Sequence, residues 1–295
     1  MNSHQKVAFK RKGVVVLCAT LIAAGMMLLP GKGLAQNVTL TSGGSVATLN
    51  LGGGTGNIGM NSWSVLGQNQ LNQQWFWYSI GSGQVAQSID TIGSLYGVSV
   101  NQPFNNQVDV IYGALPNTPL SIEVDYTLTD HGAGNADISE NIYADNYSGS
   151  GINLNLYEYS NFNLHQSYNN NVVIIPNPAG PGYEASYQSS GGTAIEETLV
   201  SPYANNAEAE PLGPPLDTLN NITTTPGYNL NNNLSASGNV SFAFQWTATI
   251  DANGGEFQIV KDKNLSVQMV PEPSLVAFIA LGVGALGLVL RRRLA

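Results

Sequence analysis

Carboxylates dominate the reactive side chains of this chain, and the usual partners of catalysis are scarce. Between residues 36 and 269 there are two histidines, His131 and His165, and no cysteine. Nucleophilic catalysis needs a base beside its nucleophile, and no G-x-S-x-G elbow is present to supply the pair. Each histidine is therefore expected in a surface or satisfied polar role, and no catalytic residue is assigned. Thiol chemistry, disulfides and cysteine-based zinc sites are excluded from this segment. Glycosidic cleavage needs two carboxylates about 5 to 10 Å apart. Glu196, Glu197, Glu208 and Glu210 lie close in sequence, but no motif positions them, so solvated loop charges are the expectation. Asp130, Asp137, Glu140 and Asp145 fall within "TDHGAGNADISENIYADN" and could gather oxygen ligands for a structural Ca²⁺. They lack the EF-hand spacing, and a solvated hairpin loop is the simpler expectation. No other cofactor is expected.

Two further motifs carry a chemical and a plain reading. "GTGNIG", Gly54 to Gly59, matches G-x-G-x-x-G, but the dinucleotide fingerprint requires a following helix. "MNSWSVLGQNQ" is poor in helix formers, so a β-turn is expected. "QWFWYSI" places Trp75, Phe76, Trp77 and Tyr78 in a row. On a strand about two of these rings must face away from the core. Trp75, Trp77 and Tyr78 could then stack on sugars; the preferred expectation is that they cover a second sheet or a loop.

Charge narrows the partners. From Gly33 to Val260 there is no lysine or arginine, and residues 36–269 hold only Lys261 and Lys263 against 18 acids, a net charge of −16. No cation is available to grip phosphates, which argues against nucleic-acid and nucleotide functions. An acidic surface also avoids polyanions while admitting neutral glycans or divalent cations.

The elements that must position these residues read as strands. In "SIEVDYTLTD", Ile122, Val124, Tyr126 and Leu128 share one face, and Glu123, Asp125, Thr127 and Thr129 the other. In "SFAFQWTATI", Phe242, Phe244, Trp246, Ala248 and Ile250 make an apolar row. Such period-two alternation is that of antiparallel strands with one wet face. "SVATLNL", "QVDVIYG", "INLNLYEYS" and "NVVII" extend the set, separated by Asn, Gly and Pro turn chemistry. "GTAIEETLV" suits a short helix or a strand. "IDANGGEFQI" looks like a hairpin with an Asn-Gly turn, and Pro176 to Pro226 reads as long loops. The fold class expected is all-β, an antiparallel, jelly-roll-like β-sandwich.

The two ends read as targeting segments. Lys6, Lys10, Arg11 and Lys12 precede an apolar run, and Gly33 and Ala35 supply the small residues of a signal-peptide cleavage site. Residues 1–35 are thus expected to be a signal peptide and 36–269 the exported acidic domain. Residues 270–295 form a third segment. Leu275 to Leu290 carries no charge and as a helix would reach about 24 Å, against a hydrocarbon core of roughly 30 Å. It can span a bilayer by thinning it or by snorkelling of Arg291, Arg292 and Arg293, which stay cytoplasmic by the positive-inside rule.

Val270-Pro271-Glu272-Pro273-Ser274, the short apolar run and the terminal arginines, in that order, resemble the PEP-CTERM sorting signal. The resemblance implies recognition of Pro-Glu-Pro by an exosortase, a membrane-embedded transpeptidase. It also implies transient anchoring through the C-terminal helix, followed by release to the cell surface or an exopolysaccharide-rich matrix. It covers about the last 26 residues and says nothing of the domain's activity. The domain itself resembles, more loosely, uncharacterised PEP-CTERM ectodomains. The leading expectation is a non-enzymatic structural or adhesive protein associated with extracellular polysaccharide. A glycan-binding module with exposed aromatics is second, and a polysaccharide hydrolase or lyase third.

Overall fold

A computed structural model describes residues 37–52, 58–167, 169–213 and 217–268. The first strands are β1 (Asn37–Ser42), β2 (Ser45–Asn50), β3 (Gly59–Val65), β4 (Gln68–Asn69), β5 (Leu71–Ile80) and β6 (Gln87–Ser88). Helix α1 (Asp90–Tyr96) leads to β7 (Val98–Phe104), β8 (Gln107–Tyr112), β9 (Leu120–Gly132), β10 (Asn135–Asn146) and β11 (Ile152–Phe162). Next come β12 (Asn170–Pro176), β13 (Tyr183–Ser190), β14 (Thr193–Ser201) and β15 (Asn206–Pro211). Helix α2 (Thr218–Thr224), β16 (Ser235–Gly238), β17 (Val240–Ile250) and β18 (Gly255–Ser266) complete the described chain.

These strands form two sheets, and every pairing among the described residues is antiparallel. Sheet A runs β1-β2-β3-β5-β11-β17-β15, with β4 on β3 and β6 on β5; sheet B runs β16-β12-β13-β14-β18-β10-β9-β8-β7. The sequence periodicity explains the layering. In β9 and β10 alternate residues are buried, Ile122, Val124, Tyr126 and Leu128 on one strand and Ile138, Ile142 and Ala144 on the other. From sheet A, Phe242, Phe244 and Trp246 of β17 join Leu154 and Leu156 of β11 in the buried core. Burying such side chains contributes about 1.5 to 3 kcal/mol each, which is how a domain without disulfides holds two large sheets together. The all-β, two-sheet antiparallel expectation is met.

Two local expectations are corrected. Asp251 to Glu256 does turn, with Asn253 and Gly254 at φ 61° and 96°, but it does not close a hairpin. β17 pairs with β11 and β15 in sheet A, and β18 with β10 and β14 in sheet B. The turn is an arch between sheets, because both strands already have partners on both sides. The span Pro176 to Pro226 is likewise more than loops: it contains β13, β14, β15 and α2. "GTAIEETLV" is β14, where Ile195, Glu197 and Leu199 alternate into the core. Among the described residues no helix is long and apolar enough to cross a membrane.

Candidate functional site

The domain's only two lysines never reach its surface. Lys261 and Lys263 share the inward parity of Ile259 and Leu265 on β18 and are fully buried between the sheets. Glu140 of β10 and Glu197 of β14 meet them from the same sheet, and Glu158 of β11 meets them from the other. Glu158 lies 2.7 Å from both ammonium groups, while Glu197 lies 3.3 and 3.5 Å away. Glu140 contacts both, at 3.0 Å from Lys263. Gln74 Nε2 donates to Glu158 at 3.0 Å, and Lys261 Nζ sits 5.3 Å from the Phe76 ring centre.

Three carboxylates against two ammoniums would leave one buried negative charge, which a low-dielectric interior penalises heavily. One proton resolves this. Burial pushes Glu158 up, but Lys261 and Lys263 more than offset that and hold it down at about 2. Burial and the adjacent Glu158 charge push Glu197 up to about 8. Glu158 Oε2 and Glu197 Oε2 are both buried without another partner, so a proton held between them satisfies both. The cluster is closed to solvent and is an electrostatic clamp between sheets rather than a substrate site.

The outer face of sheet B is open and uncompensated. Asp109 of β8 stands opposite Asp125 of β9, and Glu123 of β9 lies between Ile111 of β8 and Tyr143 of β10. Asp145 of β10 stands between Ser121 and Glu256. Glu123 and Asp125, two residues apart on one strand face, have Cα atoms about 7 Å apart. No lysine or arginine of the described chain faces them. Partial burial, then the charges of Glu123 and Asp109, push Asp125 up to about 7. Burial and the charges of Asp109 and Asp145 also push Glu123 up, while a hydrogen bond from Asp125 draws it back. Asp125 therefore takes up or releases its proton near neutrality, beside Glu123. Asp145 is raised by burial and by Glu256, and accepts a hydrogen bond from the Tyr147 hydroxyl.

A cavity of about 810 Å³ borders this group, with Ile111, Ser121, Tyr147, Ser148 and the turn Gly113–Pro119 among its walls. Ile111 and Ser121 are the immediate neighbours of Glu123 on the same face, and Tyr147 is 54% exposed. Raised carboxyls beside a cavity with an exposed ring are the ordinary marks of an acid–base site.

The residues singled out in sequence fall elsewhere. Trp75 and Trp77 are buried, with Trp75 Nε1 donating to Ser88 at 2.7 Å and Trp77 edge-on to Tyr159 at 6.1 Å. Tyr78 is partly buried beside Thr91. Trp75 and Trp77 present no open face, so the glycan-contact alternative is corrected for these two rings. The calcium set does not converge either. Glu140 points inward to the lysines and Asp137 pairs with His131, while Asp130 accepts backbone N–H groups of Gly44 and Gly132. Asp145 lies eight residues from Asp137 along β10, about 27 Å away. Among the described residues no group of three or more potential ligands could hold a metal ion.

The glutamates read as loop charges sit on strands instead: Glu196 and Glu197 on β14, Glu208 and Glu210 on β15. Glu208 is buried, accepting from Thr218 Oγ1 at 2.7 Å, Tyr228 Oη at 2.6 Å and the Asn231 N–H at 2.9 Å. Their burial follows from strand parity, which sequence proximity concealed. Gly33, Ala35, Val270 to Ser274, Arg291 to Arg293 and most of Gly54 to Gly59 lie outside the described residues. Sequence reading saw Glu123 and Asp125 as a wet face but not as a site. The available signal was two carboxylates on one strand face in a segment with almost no cations.

No family model matches the chain, and no curated protein matches it. Solved structures do share its fold. A bacterial glucoamylase in complex with acarbose aligns over 85% of this chain at 10% identity and TM-score 0.53. The chain spans only about a third of that enzyme, 36% of its length. A galactose mutarotase-related enzyme of Lactobacillus acidophilus aligns over 79% of this chain and 98% of its own, at 9% identity and TM-score 0.48. A galactose mutarotase-like protein of Lactobacillus casei covers 78% of this chain and 100% of its own, at 10% identity and TM-score 0.46. At these identities the likeness is one of fold. The glucoamylase is a carbohydrate-processing enzyme with this fold, and against that likeness the expectation of a non-enzymatic structural or adhesive protein is corrected and not carried forward.

Proposed function

We propose that the domain is a carbohydrate-processing enzyme that moves protons at the anomeric centre of a neutral saccharide, using Asp125 and Glu123. The observation that carries this reading is the carboxyl pair itself: two raised groups on one strand face, Glu123 flanked by Ile111 and Ser121 of the wall of an 810 Å³ cavity and Asp125 one position further along that face. Protonated Asp125 supplies the acid that protonates a ring or glycosidic oxygen. An ionised carboxylate, Glu123 or Asp145, takes the proton of the anomeric hydroxyl or of an attacking water. Tyr147 offers a ring and a hydroxyl at the cavity mouth. The fold likeness to the glucoamylase supports the substrate class, and the all-acid surface restricts it to uncharged sugars.

The same reading places the enzyme outside the cytoplasm, delivered through the signal peptide and released by an exosortase at Val270 to Ser274. Its support is the tripartite order of the last 26 residues. Purified residues 36–269 are to be assayed by polarimetry on aldoses and by reducing-end release from neutral glycans. Activity in either assay that falls at least 100-fold in both Asp125→Asn and Glu123→Gln is expected. Full activity in those variants, or none in the wild type, overturns the site. Mass spectrometry of the extracellular protein is expected to find its C-terminus near Pro273; an intact "LGLVLRRRLA" in membranes at steady state overturns the sorting step.

A further inference from the structure

We infer that the outer face of sheet B carries a second saccharide subsite around Tyr187, so that the substrate is an extended neutral polysaccharide rather than a free sugar. This rests on the reading of Glu123 and Asp125 as the reacting site. Tyr187 of β13 and Glu196 of β14 stand side by side, and Asn264 of β18 follows on the same rung. They border a groove of about 530 Å³ to which Asn171, Ser189 and Gln268 also contribute. Tyr187 is 43% exposed, and Val173, opposite it on β12, is 49% exposed. Tyr187 thus brings a ring to an otherwise polar groove, with Val173 beside it just outside the lining.

The groove's polar groups are unspent. Among the described residues, none of the side chains of Asn171, Tyr187, Ser189, Glu196, Asn264 and Gln268 has a hydrogen-bond partner within the chain. Buried networks elsewhere satisfy their amides, as Gln188 does with Phe162 and Asn170. Here a ring, three amides, two hydroxyls and one carboxylate converge with free donors and acceptors. Gly191 and Gly192, at φ 56° and 85°, close the β13–β14 turn that frames one end. A ring face for apolar C–H surface beside amides for hydroxyls is the chemistry that a sugar presents, and no cation is present to attract an anionic glycan.

The two sites share one surface. The rung of Asn264 and Asp137 is six residues from that of Tyr143 and Glu123, and Tyr187 lies four strand spacings from β9. Strand rise and spacing then give about 28 Å diagonally between Tyr187 and Glu123. The surface between presents Ser139, Asn141, Thr127 and Asp262, with the Tyr143 ring on the rung of Glu123 at its far end.

The test is affinity electrophoresis of the full chain in gels containing dextran, laminarin or soluble starch, with alginate as the anionic control. Wild type and Asp125→Asn are expected to be retarded equally by at least one neutral glucan and by alginate not at all. Tyr187→Ala is expected to weaken that binding about ten-fold. Because Tyr187 is exposed, the variant's thermal midpoint should match the wild type. In turnover, Tyr187→Ala should raise KM for the polymer about ten-fold and leave kcat/KM for a short oligosaccharide unchanged. Unchanged binding in Tyr187→Ala, failure of the wild type to bind any of the three glucans, or equal retardation by alginate overturns the subsite. Retained glucan binding with an unimpaired rate in Asp125→Asn overturns the reacting site alone.

Discussion

Replacing Glu197 by glutamine should remove a pH dependence that the buried clamp builds into the fold. Glu197 is held at about 8 in the folded domain against an ordinary value of 4.5. Folding therefore raises its proton affinity. The stabilising contribution is complete below pH 4.5 and is lost as pH rises through 8. Each pH unit across that window corresponds to about 1.4 kcal/mol, so the whole effect amounts to several kcal/mol. That is a large share of the 5 to 15 kcal/mol that typically holds a domain together. Glutamine keeps the shape, can donate to Glu158 as the protonated acid does, and cannot ionise. Urea unfolding at pH 5, 6, 7 and 8 should show wild type losing stability relative to Glu197→Gln as pH rises. The two should be close at pH 5 and separated by several kcal/mol at pH 8. The comparison between proteins is essential, since Asp125 and Asp262 are raised as well and add to the wild-type slope in both. Parallel stability curves for the two proteins would refute the assignment of the shared proton to Glu197.

Other outcomes follow from the same geometry. Lys263→Met should destabilise the domain by about 3 to 5 kcal/mol in urea unfolding, because Glu140 and Glu158 lose a buried counter-charge. Trp77→Ala should lower stability by roughly 3 to 5 kcal/mol and leave glycan retardation unchanged, since the ring packs against Tyr159 and is buried. Asp109→Asn removes one of the charges that raise Asp125. If Asp125 is the acid, activity falls as pH rises through about 7 in the wild type, and that falling limb should move to lower pH in Asp109→Asn. A limb that stays in place would show that Asp125 is not the titrating group.

Much of the fold was legible because strand parity is a local property. "SIEVDYTLTD" divides into the buried and outward residues observed in β9, and the row Phe242, Phe244, Trp246 enters the core as its spacing requires. Partner choice was not legible. Asp251 to Gly254 has the composition of a hairpin turn, yet it connects sheets because pairing is decided by β11 and β10, about 100 residues earlier in the chain. Glu196 and Glu197 show the same limit at single-residue scale. Neighbours in sequence, one faces the groove of Tyr187 and the other the buried lysines, and only the registration of β14 on β18 tells them apart. The inward lysines did carry a signal, since Lys261 and Lys263 fall on the parity of Ile259 and Leu265. Reading it required accepting buried charges, which become tolerable only when three glutamates from three other strands are in place.

The clamp and the candidate site are linked by that use of charge. A segment with two lysines and 18 acids could have placed its cations on the surface, where they would hold nearby carboxylates ionised. Both are committed to the core instead, and neither reaches the outer face of sheet B. Glu123, Asp125 and Asp145 therefore face only one another, Asp109 and Glu256, and their proton affinities rise by burial and mutual repulsion. A half-buried strand face thus acquires an acid near neutrality without a deep apolar pocket. It follows that a cation introduced on this face should have the opposite effect. Asn141→Lys, opposite Asp125 on β10, should lower the Asp125 proton affinity and suppress activity at pH 7 while leaving the core clamp and thermal stability intact. Addition of salt should partly restore that activity by screening the new charge, whereas a variant that had merely distorted the sheet would not recover.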